Sequence, residues 1–168
     1  MLDIGCVSSR LPIQLASLGY DVHGLEPYPF THPNFRFYQA DLFRWTPDVK
    51  YDSIVLVSVV EHFGLGEYGD CVMPDADRHA VQTITAWLNH GGQLLVSVPF
   101  GKPATTPKHR VYDIHRLRDV FDGFTWTRDR YFIRRGRDWM PAERAEVEDV
   151  SSPRLPVNGV AILDLKLR

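Results

Sequence analysis

Two nearly uninterrupted apolar runs constrain the fold of this chain more than any other feature. They are SIVLVSVV at 53–60 and QLLVSVPF at 93–100. A strand with one solvent-exposed face alternates polar and apolar residues, whereas a strand buried on both faces of a parallel sheet does not. Parallel neighbours need a crossover, usually a helix. The segment 77–92 between the runs has helical apolar spacing, with Trp87 and Leu88 on the buried face.

The same alternation extends along the chain. Further strands are predicted at 1–5, 21–26, 35–41, 124–133 and 157–167, and further helices at 9–19 and 113–121. The two late strands have no clear helix between them, so 134–156 is predicted to be a long loop. The pattern predicts one α/β domain over 1–168, with a doubly wound, mostly parallel sheet and an antiparallel strand at its C-terminal edge.

Composition excludes several classes of protein. The 168 residues are 44% hydrophobic and carry a net charge of −2, which fits a soluble globular domain and argues against nucleic acid or a membrane surface as partner. The longest apolar run is too short to span a bilayer. Cys6 and Cys71 form neither a disulfide framework nor a zinc-binding spacing, so a reducing, cytoplasmic location is expected.

Acidic and small residues recur where the predicted parallel strands end, which is the edge at which such sheets bind ligands. These residues are Asp3, Gly5, Glu26, Asp41 and Ser58, followed by Glu61 and His62. Glu26 lies about 20 residues past the first turn, where a carboxylate accepts hydrogen bonds from both ribose hydroxyls. Asp41 is placed to receive an adenine amino group, which is favoured over the alternative that it only caps a local turn.

Five segments in this order and spacing resemble the motifs of class I S-adenosylmethionine-dependent methyltransferases. They are LDIGC, GLE, ADLF, VSVVEHF and LNHGGQLLVSVP, and the resemblance covers about 2–167. It implies S-adenosylmethionine as the cofactor. By the same resemblance, Asp3, Gly5 and Cys6 hold the methionine part, Glu26 the ribose and Asp41 the adenine, with Leu42 beside the base and Ser58 in the pocket wall. EHFGLGEYGD at 61–70 also resembles a branch of small methyltransferase-like proteins, some linked to sugar or surface-polysaccharide genes.

The first loop departs from the family pattern D-x-G-x-G-x-G. Val7 and Ser9 replace the last two glycines, and valine resists a positive φ. The turn is therefore expected to differ locally, with Ser9 capping the following helix and cofactor binding weaker than usual. Because the first strand starts at Met1, two interpretations stay open: a minimal version of the fold, or a missing upstream segment that often covers the cofactor in this family.

His62 is the main candidate for a catalytic base, because an imidazole can take a hydroxyl proton at neutral pH. Glu61 is the second candidate, either as the base or as the group that orients His62. The alternative is that His62 only walls the pocket, since a sulfonium is already electrophilic and alignment does most of the work. SVVE replaces the Asn/Asp-Pro-Pro-aromatic motif after strand four, which favours an oxygen acceptor over nitrogen.

Three further groups have both a functional and a structural interpretation. His109, Arg110 and Tyr112 are predicted to contact substrate, or Tyr112 packs while Arg110 pairs with an acid. The acidic segment with Asp70, Asp75, Asp77 and His79 fits no metal loop, so no metal is predicted and a flexible lid is preferred. The arginine-rich segment 128–137 is a solvated strand face, or it attracts an anionic or sugar-linked acceptor.

The sequence therefore predicts methyl transfer from S-adenosylmethionine to a small molecule, more specifically to an oxygen nucleophile. One alternative is a non-catalytic relative that serves as a binding module or partner subunit, which Val7 and Ser9 support. Another is a nicotinamide-dependent oxidoreductase, which is disfavoured because such a site needs a three-glycine phosphate loop.

Overall fold

The computed structural model describes residues 1–30, 34–69 and 72–168. The strands are β1 (Leu2–Ile4), β2 (His23–Glu26), β3 (Arg36–Gln39), β4 (Tyr51–Val57), β5 (Leu88–Pro99), β6 (Ala104–Thr105), β7 (Arg110–Val111), β8 (Phe124–Arg135), β9 (Asp138–Ala142) and β10 (Gly159–Leu167). The helices are α1 (Leu11–Ser17), α2 (Ala76–Thr85), α3 (Ile114–Val120) and α4 (Arg144–Glu148). Short 3-10 turns cover Cys6–Ser8, Leu42–Arg44 and Val60–His62.

Within the described residues, eight strands form one sheet in the order β3-β2-β1-β4-β5-β10-β8-β9. The first five run parallel to one another. β10 lies antiparallel between β5 and β8, and β9 pairs antiparallel with β8 at the edge. The predicted fold class is confirmed, and its antiparallel part is larger than the single edge strand that was predicted. β6 and β7 form a separate antiparallel pair.

The two apolar runs become the centre of the sheet. Ile54 and Leu56 of β4 and Leu94 and Val96 of β5 are completely buried. Ile84, on the apolar face of α2, is also completely buried in the same hydrophobic cluster. Burying a side chain of this kind stabilises a fold by about 1.5–3 kcal/mol, so these central strands hold the carboxyl edge of the sheet in place.

The helix predicted at 77–92 is shorter than its apolar pattern. α2 ends at Thr85, and Leu88 already belongs to β5, where it pairs with Tyr51. The N–H of Tyr51 donates to the carbonyl of Trp87 at 2.9 Å. Strand pairing with β4 is therefore favoured over extension of α2 through these residues. Trp87 and Leu88 are still buried, as the apolar pattern requires.

The prediction of a long loop at 134–156 is wrong in its details, because this segment contains β9 and α4. Gly136 has a φ of 65° at the turn that leads back along β8. Pro141 is tolerated in β9 because an edge strand does not need every N–H for pairing. α4 begins with a capping box in which Glu143 and Glu146 each accept from the other's backbone N–H. The capping box was not recognised in the sequence, because its first residue is glutamate rather than the usual serine or threonine.

Candidate active site

A cavity of about 670 Å³ lies at the carboxyl ends of β1, β2 and β4, where a parallel sheet of this kind binds ligands. Its volume is within the range of about 300–1,000 Å³ typical of small-molecule pockets. Residues that the sequence predicted for a site and that line this cavity are Gly5, Glu26, Asp41, Leu42, Ser58 and His62. The topology therefore brings together side chains that are far apart in the sequence.

The turn after β1 is adapted to its unusual sequence. Gly5 has a φ of 75°, and a Cβ there would lie 2.4 Å from Cγ2 of Val59. Val7 lies inside the 3-10 turn Cys6–Ser8, so it keeps helical backbone angles and needs no positive φ. Ser9 Oγ accepts the N–H of Leu11 at 3.1 Å, so it pairs the first N–H of α1, although the N-cap residue of this helix is Arg10 rather than Ser9. Val7 and Ser9 thus change the local backbone structure of the turn without making it wider.

Glu26 closes β2 and is 9% exposed at the cavity wall. Burial raises the pKa of its carboxyl, and the backbone N–H groups of Tyr28 and Val7, which donate to it, act in the opposite direction. The bond from Val7 ties the modified turn to this carboxylate. A carboxylate has about four lone-pair sites, so acceptor capacity remains for a ligand's hydroxyl groups.

Asp3 and Cys6 lie behind the cavity wall rather than on it. Asp3 is 1% exposed, and its Oδ2 has no hydrogen-bond partner among the described residues. Burial, and next the charge of Glu26, raise the pKa of Asp3 to about 7. Burial, with Asp3 and Glu26 as lesser causes, raises the pKa of the Cys6 thiol to about 12. This thiol is therefore a buried packing group rather than a nucleophile.

Asp41 has the capping role that its sequence context allowed, and its contact with adenine stays a prediction. Its Oδ1 accepts the N–H of Phe43 at 2.9 Å and so caps the turn Leu42–Arg44. It also lines the cavity, next to Leu42, which is 5% exposed. The cap fixes the carboxylate and places the apolar side chain of Leu42 beside it.

Ser58 follows β4 with a φ of 54°, which is uncommon for a residue other than glycine. Its N–H donates to the carbonyl and to the Oγ of Ser97, at 3.0 and 3.1 Å. Backbone strain of this kind is concentrated at binding and active sites. The strained residue lies in the cavity wall, so the end of β4 is held in an unfavourable conformation at the place where a ligand would bind.

His62 lines the cavity, and its side chain is 19% exposed. Nδ1 lies 2.6 Å from the carbonyl oxygen of Lys108. Because a carbonyl only accepts, Nδ1 carries the proton, and Nε2 has the lone pair when the ring is neutral. Glu61 lies behind the histidine and is 2% exposed, with Oε1 3.8 Å from Nε2 of His62. Burial raises the pKa of Glu61 to about 8.

His109, Arg110 and Tyr112 lie outside the cavity lining. Both ring nitrogens of His109 are within 3.1 Å of a partner, Nδ1 of Thr106 Oγ1 and Nε2 of the carbonyl of Ser152. Arg110 donates to the carbonyl of Phe63. This placement favours the structural interpretation, and contact with substrate stays a prediction.

Tyr112 is 1% exposed, and its hydroxyl donates to Oδ2 of Asp77 at 3.1 Å. Arg116 donates to Asp75 and to Asp77, both at 2.7 Å. The acidic segment is therefore held by an arginine and a tyrosine. Asp70, which was considered with these acids as a cation ligand, lies outside the described residues, as does Cys71. Among the described residues there is no group of three or more His, Cys, Asp or Glu side chains that could hold a metal ion.

Two tyrosines of the cavity were not singled out from the sequence. Tyr28 follows β2, Tyr68 follows the turn Val60–His62, and their rings meet edge to face at 6.3 Å. Both are about half exposed. Tyr68 belongs to the glycine-rich segment predicted as a lid, which was the available signal, but nothing in the sequence pairs it with Tyr28.

The chain was compared with protein families and with curated proteins. A family model described as "Caenorhabditis protein of unknown function, DUF268" matches residues 43–136. No curated protein matches the chain. In the part of the chain that the structure describes, no helix has the length and apolar character needed to cross a membrane.

Solved structures share the fold at low sequence identity. The 1,6-didemethyltoxoflavin-N1-methyltransferase of Burkholderia thailandensis, solved with S-adenosylhomocysteine, has a TM-score of 0.67 at 14% identity, covering 99% of this chain and 69% of that chain. The N-methyltransferase NodS of Bradyrhizobium japonicum, also with S-adenosylhomocysteine, gives 0.60 at 12%, covering 99% and 76%. The [4+2]-cyclase SpnF gives 0.67 at 15%, covering 99% and 73%. These similarities establish the methyltransferase-type fold.

Proposed function

The chain belongs to the DUF268 family, and on that premise we propose that it transfers a methyl group from S-adenosylmethionine to an oxygen atom of a small molecule. The observation that carries this proposal is the position of Gly5, Glu26 and Asp41 around one cavity at the carboxyl ends of β1, β2 and β3. Each of them follows or ends a different strand, in the order in which the family resemblance assigns them to the cofactor. Two structural neighbours were solved with the demethylated cofactor.

The cavity residues divide into a cofactor side and an acceptor side. Glu26 accepts the ribose hydroxyls, Asp41 the adenine amino group, and Leu42 packs against the base. The turn at Gly5, which lines the cavity, would hold the methionine part, and a residue without a side chain favours close approach of the backbone. Ser58 and His62 lie at the end of β4, where the acceptor would approach.

When bound, S-adenosylmethionine supplies a methyl group on a sulfonium, which is already electrophilic. The protein then contributes alignment and removal of a proton. His62 is the better candidate for the base, because it lines the cavity and its Nε2 bears the lone pair, whereas Glu61 is outside the lining. In this role, Nε2 of His62 would accept the proton of the acceptor hydroxyl.

The acceptor is proposed to be a small molecule, anionic or sugar-linked. Support comes from the resemblance of the segment after β4, whereas the exposed arginines of β8, including Arg128 and Arg130, lie outside the cavity lining. Nucleic acid and membranes are not proposed as partners, given the net charge of −2. Because the proposed cofactor S-adenosylmethionine is a cytoplasmic metabolite, a cytoplasmic location of the protein is part of the proposal.

Calorimetric titration with S-adenosylhomocysteine tests the cofactor site. Wild type is expected to bind, and Glu26→Gln to bind about 1–3 kcal/mol more weakly, which is roughly fivefold to 150-fold in Kd, because ligand hydroxyls lose a charged acceptor. Asp48→Asn, at an exposed acid outside the cavity, is the matched control and should leave Kd unchanged. Equal affinity of the Glu26 variant and wild type would contradict this assignment.

A non-catalytic binding module is the second candidate. Val7 and Ser9 stand where the family loop has glycines, and Val7 donates its own N–H to Glu26. A fold of this kind does not determine the chemistry, and one structural neighbour is named as a cyclase. Folded wild-type protein that binds neither S-adenosylmethionine nor its demethylated product would favour this candidate, while binding of NAD instead would favour an oxidoreductase.

A further inference from the structure

Three aromatic rings form a connected wall on one side of the cavity. Tyr68 meets Tyr28 edge to face at 6.3 Å and His62 edge to face at 5.3 Å, and all three residues line the cavity. Tyr28 and Tyr68 are 47% and 48% exposed. Edge-to-face contacts favour a defined orientation of the rings, so the apolar surface that the two tyrosines leave open is a fixed part of the cavity wall.

Tyr68 joins the cofactor side of the cavity to the acceptor side. Tyr28, which it contacts, donates its backbone N–H to Glu26 and so belongs to the side assigned to the ribose. His62, its other ring contact, lies on the side assigned to the acceptor. The ring of Tyr68 is therefore next to the place where a methyl group would pass from the cofactor to the acceptor.

The acidic and basic residues of the cavity lining are of one sign. They are Glu26 and Asp41, and among the described residues that line the cavity there is no lysine or arginine. An anionic group bound here would lie near two carboxylates without a cation to pair with. Burying an unpaired charge is unfavourable, and like charges brought together at a binding site weaken binding strongly. The lining therefore disfavours an anionic acceptor.

Two cationic residues adjoin the cavity, and both are bonded elsewhere. The carbonyl of Lys108 accepts from His62, but the Nζ of Lys108 lies 3.2 Å from Oε1 of Glu67. Arg110 donates to the carbonyl of Phe63. Neither cation lines the cavity, so neither is placed to neutralise an anion inside it.

We propose that the acceptor packs an uncharged, hydroxyl-bearing ring against Tyr68, and that it is therefore a neutral sugar or a neutral phenol rather than an anion. The role of this ring site rests on the proposed methyl transfer, whereas binding of the ring does not require catalysis. A tyrosine offers such a ring an apolar surface and a hydroxyl as a polar handle. Burial, and next the charge of Glu67, raise the pKa of the Tyr68 hydroxyl, so it stays a neutral donor at neutral pH.

Ligand-observed nuclear magnetic resonance of the full chain, first saturated with S-adenosylhomocysteine, tests the proposal with two matched pairs of probes. Glucose is compared with glucuronate, and para-cresol with para-hydroxybenzoate. We expect the neutral member of at least one pair to bind about tenfold more tightly than its anionic counterpart, because only the anion meets the carboxylates unpaired. The pair that shows the difference distinguishes a sugar from a phenol.

Variants of the tyrosine test the contact itself. Tyr68→Leu removes the ring and should weaken binding of the neutral probe about fivefold, whereas Tyr68→Phe keeps the ring and should retain most of the affinity. Tyr20→Leu, at an exposed tyrosine outside the cavity lining, is the matched control and should bind the probe like wild type.

Three results would overturn the proposal: anionic probes that bind as tightly as the neutral ones, binding of neither neutral probe at millimolar concentration, or an unchanged affinity in Tyr68→Leu. The comparison of probes on wild type keeps the test decisive if the variant fails to fold. Binding of S-adenosylhomocysteine is measured first on the same samples, and the titrations are repeated without it. A preference for neutral rings without cofactor binding would defeat the proposed function and leave the ring site standing, whereas cofactor binding with a preference for anions would do the opposite.

Discussion

Two regions next to the same cavity use similar residues in different ways. The strand-end rim consists of Gly5, Glu26, Asp41, Ser58 and His62, all of which line the cavity. The second region is the hairpin 104–111 with the tyrosine that follows it. Its His109, Arg110 and Tyr112 are residue types that also serve in binding sites. Those side chains are bonded to the protein itself.

The difference teaches that position on the sheet decides what a polar side chain is available for. Parallel strands end at a common edge, so a residue there faces the space beyond the sheet. The side chains of the hairpin bond to neighbouring segments instead, since the ring of His109 bonds to the carbonyl of Ser152 and the guanidinium of Arg110 to that of Phe63. In the rim, the carboxylates of Glu26 and Asp41 accept backbone N–H groups and keep lone pairs for a ligand. In the hairpin, both ring nitrogens of His109 are bonded to the protein.

The largest predicted effect concerns the acid directly behind the rim. Because the pKa of Asp3 in the folded chain is about 7, above its ordinary 3.8, the folded state holds this proton more tightly than the unfolded state. The associated stability is fully present below pH 3.8 and is lost as the pH rises through 7, by roughly 4 kcal/mol at most. Denaturant unfolding across this window should show wild type losing stability and Asp3→Asn remaining flatter.

Asp48→Asn serves as the control for this measurement, because that acid is exposed and should leave the wild-type pH dependence intact. Glu26→Gln adds a sharper test, since the charge of Glu26 is the second cause of the raised pKa of Asp3. It should make the loss of stability smaller and complete at a lower pH. If Asp3→Asn follows the wild-type curve, the rim has no strained acid behind it, and the contrast with the satisfied hairpin is weakened.

The next effect concerns the turn of the rim. Gly5→Ala adds a Cβ 2.4 Å from Cγ2 of Val59 at a φ of 75°. The left-handed backbone costs roughly 1–2 kcal/mol and the overpacking roughly 1–3 kcal/mol. Gly19→Ala is a matched control, with a φ of 89° and no described atom within 4 Å of the new Cβ. Thermal unfolding should show the larger loss for Gly5→Ala, and equal losses would mean that close approach is unimportant here.

The sequence predicted the fold class because strand and helix periodicity act locally and the apolar runs are long. It failed where pairing overrode local pattern: Leu88 has the spacing of a helix but lies in β5 because Tyr51 binds the preceding residue. It also missed β9, whose sequence DWMPA shows no alternation and is held by pairing with β8 alone.

The candidate site was predictable to the extent that it follows from strand ends. Glu26 and Asp41 were identified because the end of a parallel strand fixes a residue's location to one edge. The tautomer of His62 was not predictable, since it depends on the carbonyl of Lys108, 46 residues away. Contacts at that separation leave no periodic signal in a single sequence.

The smallest predicted effect tests the hairpin side of the comparison. Tyr112→Phe removes the hydroxyl that donates to Asp77 at 3.1 Å and leaves this buried carboxylate with Arg116. We expect a loss of about 1–2 kcal/mol in unfolding free energy and an unchanged Kd for S-adenosylhomocysteine, because Tyr112 lies outside the cavity lining. Tyr20→Phe, at a 61% exposed tyrosine, should change neither quantity. A weakened Kd in Tyr112→Phe at unchanged stability would place this tyrosine with the rim, because a purely structural hydroxyl affects stability first.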